Sequence, residues 1–388
     1  MRFVFVINSL TGGGAERAMV NLLGFLRERL ADHEVHLVLL DREPDRHTVG
    51  NWVKRTTLDA RHGLLSSFWQ LWRRLADLKP DVTVSFLTRS NCANVLASSL
   101  LRRPCVISER VHTTSHFGGG LKSLGQRLLV RLFYPRADHV VAVSSNVRED
   151  LVENFGLSPA AVSVIGNGIS IEMIEGRAAE VPEIALPEEF ILAAGRLVPT
   201  KNFSLLIEAY LRSGVETPLV ILGEGPERAR LEAMVASAGA SARILLPGYV
   251  ANPYPIVRSA KAFVSSSNAE GFPNALVEAM ALGCPVVATD CEAGPAEILQ
   301  AGRRAQDAVL RAEYGLLVPV NAPGPLAEAM AMMACEPMRS DFAGRAKRRA
   351  MDFSPEQVAR CYLAVLAQVT RRPELAMEPA GKAAVQEA

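Results

Sequence analysis

The sequence predicts two doubly wound α/β domains in tandem. Three observations carry this: a length of 388 residues, short apolar runs alternating with longer amphipathic stretches, and one break in that rhythm near the middle. A chain this long suits two domains of roughly 150–200 residues better than one. The apolar runs are rich in β-branched residues and too uniformly hydrophobic for a half-exposed sheet. They read as parallel strands covered by helices on both faces.

In the first half the predicted strands are 3–7, 35–40, 82–86, 105–108, 139–143 and 162–165, with amphipathic helices at 16–30 and 66–78. The stretch 172–188 is charged, holds proline and lacks a clear period, which places the linker there. The rhythm restarts with strands at 190–194, 219–222, 243–246, 262–265, 285–289 and 315–318, and helices at 202–213, 226–238, 273–282 and 325–335. The expected division is a first domain over 1–180, a second over 181–352, and a final helix at 355–370 with a poorly ordered tail within 353–388. In such domains ligands bind at the carboxyl ends of the strands, and two domains that face each other make a cleft.

Composition narrows the function. Hydrophobic residues are 49% and charged residues 21%, ample for buried cores. A net charge of +1 argues against a dedicated nucleic-acid binder. The six cysteines, Cys92, Cys105, Cys284, Cys291, Cys335 and Cys361, form no CxxC, so they read as reduced thiols, mostly small buried apolar groups. The apolar run 3–7 is too short for a signal-peptide core and reads as a first strand. No stretch approaches the ~18 apolar residues of a spanning helix. The expectation is a cytoplasmic protein, free or peripheral on the inner face of the cytoplasmic membrane.

Three motifs carry chemistry. Thr11-Gly-Gly-Gly-Ala-Glu-Arg17 follows the first strand and opens a helix; glycines there let backbone N–H groups approach a phosphate or sugar. It lacks the full dinucleotide fingerprint, because Arg17 stands where a small residue belongs. Asp41, at the end of the second strand, would suit a ribose hydroxyl and keeps a dehydrogenase open as a rival. Gly195-Arg-Leu-Val-Pro-Thr-Lys-Asn202 sets Arg196 and Lys201 at a strand's carboxyl end, where two cations can take the charge of a departing diphosphate. Asn268-Ala-Glu-Gly-Phe-Pro-Asn-Ala-Leu-Val-Glu278 holds two glutamates with Gly271 and Pro273 between them. Pro273 suits a first helical turn, leaving Glu270 in the loop and Glu278 in the helix. N–H groups near Gly271, Phe272 and Asn274 would point at a ligand.

Together with Gly223-Glu-Gly-Pro226 and Asn167-Gly168, these residues resemble the retaining GT-B glycosyltransferases of family 4 (group 1, GT4), from the first strand to the final helix. The resemblance implies a GT-B fold, two Rossmann-like domains facing a cleft, with acceptor on the first and nucleotide sugar on the second. It implies that Arg196 and Lys201 hold the donor diphosphate, that Glu278 binds the ribose and Glu270 the transferred sugar. Gly13 and Gly14 would contact the phosphate side, Gly248-Tyr249-Val250 would hold the base through its backbone, and the final helix would brace the first domain. Gly294-Pro-Ala-Glu297 matches a variant of polysaccharide-assembly enzymes. The chain departs from the pattern at the end of the fourth strand, where many relatives carry a histidine facing the donor sugar. Here the segment is Ile107-Ser-Glu-Arg-Val-His112, and Glu109, Arg110 and His112 all remain candidates for that place, or for a cationic acceptor-side loop.

The motifs show no DxD or clustered metal ligands, and the resemblance implies a metal-independent reaction with no cofactor besides the nucleotide-sugar substrate, a UDP-sugar by family frequency. The acceptor implied is a lipid-linked saccharide or other glycan precursor. A 2-epimerase or hydrolase on the same fold, and a non-catalytic nucleotide-sugar binder, are the rivals.

One acceptor-side feature stays two-sided. Residues 121–136 carry Lys122, Arg127, Arg131 and Arg136 with no acid, and Leu121, Leu124, Leu128, Leu132 and Phe133 recur at helical spacing; Trp69 and Trp72 stand beside Arg73 and Arg74. This suits an interfacial helix on anionic lipid. It equally suits an ordinary surface helix that buries its leucines and exposes its arginines.

Overall fold

The computed structural model describes residues 1–116 and 121–377, and the predicted tail from residue 378 onward lies outside them. The chain divides into two units, Met1–Gly168 with Pro355–Ala388, and Ile169–Ser354.

The first unit contains β1 (Arg2–Ile7), α1 (Gly14–Leu26), β2 (Glu34–Leu39), β3 (Lys54–Thr57), α2 (Leu64–Leu78), β4 (Val82–Phe86), α3 (Thr88–Leu101), β5 (Cys105–Glu109), α4 (Thr113–His116), α5 (Leu121–Phe133), β6 (His139–Ala142), α6 (Ser145–Phe155) and β7 (Val162–Val164). Its sheet runs β3-β2-β1-β4-β5-β6-β7, all parallel. Alternate β1 residues serve opposite layers. Phe3, Phe5 and Ile7 pack with Met19 and Leu23 of α1, while Val4 and Val6 pack with Leu71 and Leu75 of α2 and Ala93 and Ala97 of α3. The strands are therefore buried on both faces, as their unbroken apolar sequence required. The strand β3 escaped the sequence reading because Lys-Arg-Thr-Thr is polar and half-exposed, as edge strands are.

The second unit contains α7 (Ile171–Ala178), β8 (Ile191–Ala194), α8 (Phe203–Ser213), β9 (Leu219–Leu222), α9 (Arg228–Ser237), β10 (Ile244–Gly248), α10 (Tyr254–Ser259), β11 (Ala262–Ser265), α11 (Asn274–Ala281), β12 (Val286–Thr289), α12 (Pro295–Leu299), β13 (Leu310–Arg311), β14 (Leu316–Val318), α13 (Pro323–Ala334) and α14 (Met338–Ala350). Its sheet order is β10-β9-β8-β11-β12-β14-β13, parallel except for the edge pair β13–β14. The chain then returns through α15 (Pro355–Thr370) to the first unit, where Tyr362, Leu363 and Leu366 complete the core around Phe3 and Phe5.

The boundary differs from the expected one after residue 180: it falls between Gly168 and Ile169. The predicted linker begins as a helix, α7, whose N-cap Ser170 Oγ accepts from Met173 N at 3.3 Å, and is irregular from residue 179 onward. Only Ile174 and Ala178 of α7 are buried, packing with Phe190 and Tyr254, so its apolar stripe is too thin to show as a period.

Candidate functional site

Every donor-side residue predicted in the second unit lies beyond the carboxyl end of a parallel strand. Arg196 and Lys201 follow β8, Gly223 and Gly225 follow β9, Tyr249 and Val250 follow β10, and Glu270 to Asn274 follow β11. Strands β8 and β11 are hydrogen-bonded neighbours, with Ala262 opposite Ile191, yet the chain leaves them toward opposite edges of the sheet. That makes a topological switch point, where two loops diverge and leave a crevice.

The two loops are tied together there. Lys201 Nζ forms an ion pair with Glu270 Oε1. Ser267 Oγ donates to the same oxygen at 2.6 Å. Ser266 Oγ donates to the Lys201 carbonyl at 2.9 Å, and Asn268 N to the Thr200 carbonyl at 2.8 Å. Asn202 adopts φ 47°, caps α8 by accepting from Leu205 N at 3.3 Å, and donates to Asn268 Oδ1 and Asn321 Oδ1, each at 3.0 Å. The cap sets where Lys201 begins its reach. From the next strand, Thr289 Oγ1 donates to the Ser267 carbonyl at 2.6 Å. Arg196 is exposed in the same loop.

Glycines set the approach of the β9 loop. A Cβ on Gly223 would penetrate the carbonyl oxygen of Gly195 and stand 2.9 Å from its carbon, and φ at Gly223 is +139°. A Cβ on Gly225 would meet the Leu197 backbone at 2.7 and 2.8 Å. Leu197 N donates to the Glu224 carbonyl at 2.9 Å across that contact. Gly223-Glu-Gly-Pro226 is thus the wall against which the Arg196–Lys201 loop is packed.

Glu270 lies in the loop and Glu278 inside α11, as the position of Pro273 implied; Glu278 is only 7% exposed, which excludes a solvated helix carboxylate. The ring of Phe272 packs edge-on against Phe353 at 5.3 Å, Val250 is buried in the core and the Tyr249 side chain is exposed. These residues can therefore offer backbone groups to a ligand. Sequence reasoning passed over Ser266, Ser267, Asn268 and Asn202 as partners, although a polar run directly after a buried strand is a readable signal.

In the first unit Gly13 is the N-cap of α1 and Gly12 adopts φ +111°, a conformation that favours glycine, while the Glu16 carboxylate lies over Gly13. Asp41 does not suit a ribose. Its carboxylate is buried, pairs with Arg89 and accepts from His62 N at 3.0 Å. Burial raises its pKa, but the Arg89 and His62 contacts outweigh this and hold it below the usual range. The acid that kept a dehydrogenase open is a structural ion pair.

The segment after β5 resolves similarly. Glu109 is buried, accepts from Tyr134 Oη, and accepts from Arg110 N at 3.0 Å. Burial pushes its pKa up despite those donors. Arg110 is buried over the Phe86 ring at 4.6 Å and donates to Ser108 Oγ at 3.0 Å. Tyr362 of α15 packs on Phe86 with ring centroids 6.4 Å apart. Glu109 and Arg110 are therefore buried at the carboxyl end of β5 against α15 and do not lie on an exposed loop. His112 is the least buried of the three candidates; its Nδ1 lies 3.0 Å from Ser115 Oγ and 3.9 Å from Asp150.

The proposed lipid-facing residues divide too. Trp69 is exposed, but Trp72 is partly buried against the core beneath α2 and stacks edge-on with Trp69 at 5.5 Å. Arg127 turns back to the Thr114 carbonyl at 2.5 Å, whereas Arg131 is exposed. The Lys122 side chain lies outside the described residues. Among the described residues no helix is long and apolar enough to cross a membrane, and no group of three or more His, Cys, Asp or Glu side chains is placed to hold a metal.

Residues 12–173 match the family profile described as Glycosyltransferase Family 4, and residues 177–349 match that described as Glycosyl transferases group 1. The chain is 31% identical over 374 residues to a Campylobacter jejuni N-acetylgalactosamine-N,N'-diacetylbacillosaminyl-diphospho-undecaprenol 4-alpha-N-acetylgalactosaminyltransferase, covering 91% of this chain and 96% of that one. It is 28% identical to a second enzyme of that organism, a GalNAc-alpha-(1->4)-GalNAc-alpha-(1->3)-diNAcBac-PP-undecaprenol alpha-1,4-N-acetyl-D-galactosaminyltransferase, over 95% and 99% of the two chains. Among solved structures, Anabaena HepE, crystallised with UDP and glucose, matches with a TM-score of 0.74 at 17% identity, over 95% of this chain and 100% of that one. That likeness gives the fold as GT-B.

Proposed function

The chain belongs to the group 1 glycosyl transferases, and from that membership we propose that it moves a hexose or N-acetylhexosamine, with retention at the anomeric carbon, from a UDP-sugar to a lipid-linked saccharide in glycan assembly. The observation that carries this reading is the Lys201–Glu270 pair at the switch point between β8 and β11, beside the exposed Arg196. It puts cationic and hydrogen-bonding groups within one crevice, as a diphosphate next to a sugar needs. The relatives named for undecaprenol-linked saccharides support the acceptor class, and HepE with UDP supports the base.

In this scheme Arg196 and Lys201 receive the diphosphate as the bond from the anomeric carbon to the phosphate oxygen breaks. The acceptor hydroxyl forms its new bond from the same face, and its proton passes to the departing phosphate oxygen. Glu270 binds hydroxyls of the transferred sugar, Glu278 binds the ribose, and the backbone at Tyr249 and Val250 meets the base. The family resemblance assigns Gly13 and Gly14 to backbone contacts on the phosphate side and His112 to the acceptor side. The two cations take the role a divalent ion would otherwise fill, so the reaction is metal-independent.

Calorimetric titration with UDP, GDP, ADP and NAD in the presence of a chelator tests the reading. Micromolar binding of UDP, weakened in Arg196→Ala, is expected. Binding of NAD without any nucleoside diphosphate would overturn it.

A further inference from the structure

Helix α5 leaves a stripe of leucines uncovered. Its leucines repeat at every fourth position, the spacing of a core stripe, yet Leu124 is 65%, Leu128 56% and Leu132 45% exposed. The residues turned inward are Ser123 and Val130, with Gln126, Arg127, Leu129 and Phe133 partly buried beside them. The helix thus has an apolar inner side already, and the three leucines form a second stripe along about 12 Å of its outer side. Single exposed leucines are ordinary, whereas an aligned apolar stripe marks a surface that meets something.

Two further observations say what it meets. No acid occurs between residues 121 and 136, and the exposed cations Arg131 and Arg136 flank the last two leucines. The same helix layer carries a second apolar edge. On α2, which shares with α3 the face of the sheet opposite α1, Leu65 is 75% and Trp69 54% exposed one turn apart, with exposed Arg73 and then exposed Asp77 a turn further each. Exposed leucines beside arginines with no carboxylate, as on α5, and an exposed tryptophan, as on α2, are the composition of a surface lying in the headgroup region of an anionic bilayer.

We propose that the outer face of α5, with the Leu65–Trp69 edge of α2, docks the first unit onto an anionic lipid surface. The leucines enter the acyl boundary, Arg131 and Arg136 meet the headgroup phosphates, and Trp69 sits at the interface. The proposal rests on this surface alone and holds whichever nucleotide the second unit takes.

The test is flotation of the full chain with vesicles of phosphatidylcholine alone and of phosphatidylcholine with phosphatidylglycerol at about a 7:3 ratio. Binding to the anionic vesicles is expected, with at least about a tenfold lower partition to the neutral ones and a decrease with salt. Leu128→Asp should lower partition by about tenfold or more, and Arg131→Glu should lower it on anionic vesicles only. Both side chains are exposed, so thermal melting should confirm that the variants fold. Equal partition of Leu128→Asp and the unaltered chain would overturn the proposal, as would no binding to anionic vesicles. A concentration-dependent dimer abolished by Leu128→Asp, without vesicle binding, would give the stripe to a second copy and equally overturn it.

Discussion

Lys201 and Glu270 share one oxygen with Ser267: the ammonium and the hydroxyl both converge on Glu270 Oε1, the hydroxyl at 2.6 Å. The carboxylate is thereby fixed by two partners from two loops, one after β8 and one after β11. Preorganised groups of this kind assist a transition state because they need not reorient as charge develops.

Removing the cation should cost more than removing the hydroxyl. Lys201→Ala is expected to lower kcat by more than about a hundredfold, some 2.7 kcal/mol. Ser267→Ala leaves the charge in place and should lose about tenfold, the worth of one hydrogen bond to a charged group. Steady-state kinetics with the nucleotide sugar reads both. An unchanged kcat in Lys201→Ala would remove Lys201 from the diphosphate site.

Gly223→Ala should damage the site without touching a ligand. The new methyl meets backbone, the Gly195 carbonyl, and not a movable side-chain end, and the positive φ adds strain. The loop bearing Arg196 and Lys201 must shift or the second unit must lose stability, by about 2–4 kcal/mol. A lowered melting temperature together with weaker nucleoside-diphosphate binding is expected. Native melting with native binding would refute the packing argument.

Glu109 gives a signed pH dependence. Burial raises its folded-state pKa above the ordinary 4.5, so the folded protein holds this proton more tightly than the unfolded chain. Its contribution to stability is full below the unfolded value and is lost as pH rises through the raised folded value. Glu109→Gln cannot titrate, so this loss should be missing in the variant, whatever constant offset the substitution brings. Melting curves taken from pH 4 upward should show the unaltered protein losing ground to the variant; parallel curves would count against it.

The thiols should fall into two classes. Burial pushes Cys92, Cys105, Cys284 and Cys291 up to about 12, while Cys335 is exposed and Cys361 partly so. A thiol reagent at neutral pH should modify Cys335 fast and Cys361 more slowly. The remaining four should react only on unfolding, as mapped by mass spectrometry of the modified peptides.

Much of this was legible in the sequence because it is local. The central strands of both sheets show as apolar runs, and Pro273 separates Glu270 from Glu278 by its own conformational preference. What stayed hidden depends on contacts across long stretches of chain. Nothing near Asp41 announces Arg89, and nothing near Ser108 announces Tyr362, whose hydroxyl lies 3.4 Å from Ser108 Oγ. The periodicity of α5 was visible, but period alone gives a stripe and not its direction; only the structure turns the leucines outward.

The return of α15 makes the second unit an insertion within the chain of the first. A ribosome releases Phe3 and Phe5 early, but Tyr362, Leu363 and Leu366, which close over them, are among the last core residues made. Three such side chains bury about 1.5–3 kcal/mol each, comparable with the whole margin of a typical domain. The unit begun first is thus finished last. A nascent chain interrupted anywhere within residues 169–354 would carry an open, apolar wound in its first unit, which a chaperone or protease could read as a mark of incomplete synthesis.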